Sequence, residues 1–185
     1  PGSQSSIDFS YSGNDITSFL EHSVPENFNT IQNAIDNATP TTYGLELSLT
    51  DNDDYSDLYY QGGTISYSGG DIINVSPGTY YEQLIVDKSI SLVGSGAGET
   101  VLDGENSYRL IYVDNDGGYF SITGFTIQNG YFPDYWGENG SSGGIMVWNS
   151  DLHIAHNHFL NNKAYAGGGL YVYSGSTGLI ERNLF

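Results

Sequence analysis

Gly143-Gly-Ile-Met-Val-Trp148 returns as Gly168-Gly-Leu-Tyr-Val-Tyr173, and His153-Ile-Ala-His-Asn-His-Phe159 returns as Leu179-Ile-Glu-Arg-Asn-Leu-Phe185. The first pair is offset by 25 residues (168 − 143) and the second by 26 (179 − 153). Two unrelated motifs recurring at nearly one period predict a repeated structural unit. Within each copy apolar residues alternate with others, as in a strand that buries one face. Phe120-Ser-Ile-Thr-Gly-Phe-Thr-Ile-Gln-Asn129 is a looser, earlier copy.

The same pattern runs from Asp71 onward. Its apolar pairs are Ile73/Val75, Leu84/Val86, Ile90/Leu92, Ile111/Val113, Phe120/Ile122, Phe125/Ile127, Ile145/Val147, Leu152/Ile154 and Leu170/Val172, followed by Leu179 or Ile180. Gly, Asn, Asp or Ser separates most of them, which marks tight turns. Three short strands per repeat describe one rung of a solenoid, and a rung buries its inner face only by stacking on others.

Upstream the period changes. Phe28, Ile31, Ala34, Ile35 and Ala38 form one apolar stripe, predicting a helix from Phe28 to about Ala38. Asn27 and Asn29 are both candidate N-caps. Asn27 is preferred, because it keeps Phe28 inside the stripe. Pro40 ends the segment. Residues 39–69 are acidic and aromatic, and read as an inserted loop or hairpin. The resulting organisation is residues 1–3 as a cloning remnant, 4–38 as N-terminal segment and helix, 39–69 as insertion, and 70–185 as rungs. The sequence stops inside a rung, which predicts an apolar end covered by further protein or by another copy.

Composition narrows the function. The 185 residues include 25 Gly and 16 Tyr but only four Lys+Arg, and the formal net charge is −18. Such a field disfavours nucleic acid and anionic lipid, and suits surroundings where cations screen carboxylates. Cysteine is absent, so no disulfide or thiolate metal site exists. No apolar run reaches membrane-spanning length.

Val24-Pro-Glu-Asn-Phe-Asn-Thr-Ile-Gln-Asn-Ala-Ile-Asp36, Gly70-Asp-Ile-Ile-Asn-Val-Ser-Pro-Gly-Thr-Tyr-Tyr-Glu82, Leu102-Asp-Gly104, Gly124-Phe-Thr-Ile-Gln-Asn-Gly130 and Gly167-Gly-Gly-Leu-Tyr171 stand in sequence. This combination resembles the bacterial right-handed parallel β-helix family, within the pectate-lyase-like superfamily. The resemblance covers residues 24–38 and 70–185, and the insertion between them departs from it. It implies an all-β, right-handed parallel β-helix with an N-terminal capping α-helix. It also implies that Asn157 and Asn183 occupy equivalent turns and form an asparagine ladder.

Alternation assigns the outward residues. Tyr112, Met146 and Tyr171 form one outward column, and Asp114, Trp148 and Tyr173 the next. The loop Gly130-Tyr-Phe-Pro-Asp-Tyr-Trp-Gly137 is expected to enter this sheet and add Tyr131, Phe132, Tyr135 and Trp136. Exposed aromatic clusters usually have a use, and flat rings suit the apolar faces of sugars. The competing account is that the rings stack on one another or are covered by the loop. The resemblance adds that many members of the superfamily hold polysaccharide on such a face.

Catalysis is not expected from these residues. A lyase of the resembled superfamily needs a basic residue, and Lys88, Arg109, Lys163 and Arg182 all fall outside the outward columns. Clustered Asp residues for hydrolysis are not found either. Calcium has two candidate positions: Asp51, Asp53, Asp54 and Asp57 in the insertion, and Asp114 with Asp116 in an Asp-Asn-Asp-Gly-Gly turn. The EF-hand pattern is not met, and an acidic solvated loop is the commoner explanation of both. His153, His156 and His158 lie close in sequence, but a turn near Asn157 separates the last two. The expectation is a secreted or cell-surface module that binds carbohydrate, with a truncated polysaccharide-degrading enzyme and an adhesive element associating end to end as alternatives.

Overall fold

Alternating short apolar segments have no means of closing a core locally, so their partners must come from distant repeats. The computed structural model describes residues 21–39, 43–46, 64–67, 71–133, 142–173 and 175–185. β1 (Glu21–Val24) is followed by α1 (Ile31–Asn37) and by β2 (Tyr43–Glu46) and β3 (Thr64–Tyr67). Next come β4 (Asp71–Val75), β5 (Gly78–Tyr80), β6 (Leu84–Val86), β7 (Ile90–Gly94), β8 (Thr100–Asp103) and β9 (Ile111–Asp114). Then follow β10 (Tyr119–Thr123), β11 (Phe125–Gln128), β12 (Tyr131–Phe132), β13 (Ile145–Trp148) and β14 (Asp151–Ala155). β15 (His158–Leu160), β16 (Lys163–Ala164), β17 (Leu170–Val172) and β18 (Thr177–Glu181) complete the order.

The strands form three larger sheets. The first has the order β1-β4-β7-β10-β14-β18, the second β5-β8-β11-β15 and the third β6-β9-β13-β17. All their pairings are parallel. From β4 onward the chain visits first, second and third sheet in turn and then returns to the first. Neighbours within a sheet are therefore one repeat apart. β12 and β16 form a separate parallel pair at the corner between second and third sheets. In the insertion, β2 and β3 pair antiparallel, with Tyr43 opposite Tyr67, so that segment contains a hairpin.

The predicted inward pairs from Ile73/Val75 through Leu152/Ile154 are all buried. Leu170 is half-buried and Val172 exposed. The choice between Leu179 and Ile180 is resolved by register: Ile180 aligns with inward Ile154, and Leu179 with outward His153.

The helix is shorter than the stripe suggested. It starts at Ile31 with Thr30 as N-cap, whose side chain accepts from the Asn33 N–H. Asn27 instead accepts from the Ser23 N–H, closing the preceding turn. The Glu82 carboxylate accepts from the N–H groups of Ile31 and Gln32, which have no partner inside the helix. Gln32 Oε1 accepts from the Ile85 N–H and its Nε2 donates to the Ile85 carbonyl. The helix thereby shields β6, an edge strand of the third sheet.

The turn from first to second sheet repeats in conformation. Gly124, His156 and Arg182 occupy equivalent positions, all at positive φ (77°, 57° and 54°). The next position holds Phe125, Asn157 and Asn183, stacked one above another. Asn157 Oδ1 accepts from the Phe125 N–H at 3.0 Å, and its Nδ2 donates to the carbonyls of Ile122 and Ala155. Asn183 Oδ1 accepts in turn from the Asn157 N–H at 2.9 Å and from its Nδ2 at 3.2 Å. The asparagine ladder that the resemblance implied is thus present between these two repeats.

Candidate functional site

The outer face of the third sheet is built by in-register pairing. β6, β9, β13 and β17 align Ile85, Tyr112, Met146 and Tyr171 in one column. The next column runs from Asp114 through Trp148 to Tyr173. Trp148 pairs with Asp114, and the Tyr173 N–H donates to the Val147 carbonyl. Strands about 4.8 Å apart bring side chains of one column into direct contact.

The rings of this column face one another. Trp148 and Tyr173 are stacked at 4.1 Å between centroids with planes 17° apart. Tyr171 lies 6.2 Å from Tyr173 at 24°. The account in which the rings stack on one another therefore holds for these residues. One face of Trp148 is committed to Tyr173, and its register partner on the preceding repeat is Asp114.

Met146 departs from the expectation of an outward, solvent-facing residue. Its register is the expected one, but it is fully buried. A tyrosine stands on the neighbouring strand on each side, and a flexible thioether fills such a gap well. Alternation fixes the side of the sheet and not whether water reaches it.

The loop after Asn129 also differs from expectation. Tyr131 and Phe132 do not join the third sheet but pair with Lys163 and Ala164 at the corner. Tyr131 stands opposite Lys163 and is partly exposed. Phe132 meets the site by another route. The Arg109 guanidinium lies 4.0 Å from the Phe132 ring centroid and 5.6 Å from that of Tyr112. Its Nε donates to the Ser142 carbonyl at 3.0 Å. Arg109 thus belongs to the edge of the aromatic face although it lies in neither column. Burial holds its pKa below the ordinary arginine value, opposed by Tyr112. Tyr135 and Trp136 fall outside the described residues.

Tyr112 connects this edge to the acidic part of the column. Its hydroxyl donates to Asp114 Oδ2 over 3.4 Å. Burial raises the phenol pKa, the Asp114 charge and hydrogen bond raise it further, and Arg109 opposes. Tyr112 is consequently a neutral hydroxyl donor throughout the physiological range. Asp114 and Asp116 are exposed, and Asp116 Oδ1 accepts from Asn149 Nδ2.

Among the described residues no three acidic or histidine side chains converge on a metal-sized point. Asp51, Asp53, Asp54 and Asp57 lie outside the described residues. His156 occupies the positive-φ turn, which separates it from His158 on β15. His153 Nε2 instead meets Glu181 Oε1 at 3.4 Å on the first sheet. Sequence periodicity located the two columns. It missed Arg109 and the role of Phe132, because a turn residue reaching sideways carries no periodic signal.

Neither a protein-family model nor a curated protein matches the chain.

Proposed function

We propose that the chain is a secreted or cell-surface right-handed parallel β-helix module, related to the pectate-lyase-like superfamily, that binds carbohydrate on its third outer face without catalysis by these residues. In this reading the three sheets are the three faces of one solenoid, and each circuit of the chain is a rung. The cyclic order of the sheets and the one-repeat spacing of neighbours support it.

One observation carries the functional reading: Trp148 and exposed Asp114 are register partners on neighbouring strands of this outer face, with the Tyr112 hydroxyl 3.4 Å from Asp114 Oδ2. A sugar ring laid on that face would find an apolar platform and a carboxylate acceptor for its hydroxyls within one strand spacing. Tyr171, Tyr173 and Tyr131 extend the surface, and Tyr135 and Trp136 are candidates to extend it further. Calcium at Asp114 and Asp116, or at the four aspartates of the insertion, would be an accessory and is not needed for this contact.

A second reading, an adhesive or structural element, is favoured by the stacking of Trp148 on Tyr173. Such contacts hold neighbouring repeats together without any ligand. A glycan-array screen of the chain beside Trp148→Ala separates the two. Binding to a defined polysaccharide that the variant loses supports the carbohydrate reading. No binding by a folded protein, with or without calcium, leaves the structural one.

A further inference from the structure

We draw no further inference here: the strongest candidate, the exposed apolar edge that Leu179, Ile180, Leu184 and Phe185 form on the last repeat, carries nothing because nothing in the structure shows what covers it.

Discussion

Asn157 over Asn183 and Trp148 over Tyr173 are both stacks of similar side chains on successive repeats, and they differ in which side of the sheets they occupy. The asparagines lie in the turn between first and second sheets, where Asn157 has no exposed surface. Its side chain bonds the Phe125 N–H and the carbonyls of Ile122 and Ala155, besides Asn183 Oδ1. The aromatic pair lies outside, where water could serve any polar group and the only gain is ring contact. An inner stack is therefore required by the fold, whereas an outer stack is permitted by it and can be put to use.

The sharpest break of this comparison is Asn157→Ala. It strips partners from the Phe125 N–H and the Ile122 carbonyl, both near a packed core. A loss of about 3 kcal/mol or more is expected in urea unfolding, at about 1–3 kcal/mol for each group left unsatisfied. A loss below about 1 kcal/mol would mean that water replaces the ladder.

Arg109→Met tests the edge of the outer face. It keeps length and removes the bond to the Ser142 carbonyl and the contact with Phe132. About 1–2 kcal/mol should be lost in the same assay. The near-ultraviolet signal should also change, because Tyr112 loses a neighbour. An unchanged spectrum and midpoint would remove Arg109 from the account.

Thr30→Ala removes the N-cap bond to the Asn33 N–H and should cost about 1 kcal/mol. Asn27→Ala and Asn29→Ala test whether the cap lies where the stripe suggested. A larger effect at Asn29 than at Thr30 would contradict the observed start of the helix.

Trp148→Ala should cost about 1 kcal/mol or less, the scale of one exposed aromatic pair, despite removing the largest ring of the face. A loss comparable with that of Asn157→Ala would place the outer stack among the structural requirements and weaken the functional reading.

The smallest expected effect depends on pH. Burial works to raise the Asp103 pKa, but hydrogen bonds from the Glu105 N–H, Gln128 and Asn129 outweigh it, and the net shift is downward from 3.8. A depressed folded-state value adds stability above the unfolded value, and that contribution is lost as pH falls through the folded one. Wild type should therefore exceed Asp103→Asn in stability near neutrality, with the gap closing below about pH 4. A gap that widens with acid would reverse the sign of the shift.

Much of the architecture was legible because burial on one face of a short strand leaves a period of two. Ile73 through Ile154 announce their inward direction this way, and the 25- and 26-residue offsets announce which strands become neighbours. Positions without periodic constraint were less legible. The helix start was set by which side chain could reach the Asn33 N–H, and Glu82, far along the chain, supplied the remaining acceptors.

The sequence by itself determined the alternation, the repeat length, the strongly acidic charge and the columns in which Asp114, Trp148 and Tyr173 align. These follow from local chain geometry, since side chains two residues apart share a face and equivalent residues of successive repeats share a column. Only the tertiary structure decided that Met146 is sealed from water, that Arg109 reaches Phe132 and Ser142, and that Trp148 commits one face to Tyr173. Each of these depends on contacts between residues far apart in the chain, where distance and orientation rather than pattern fix the outcome.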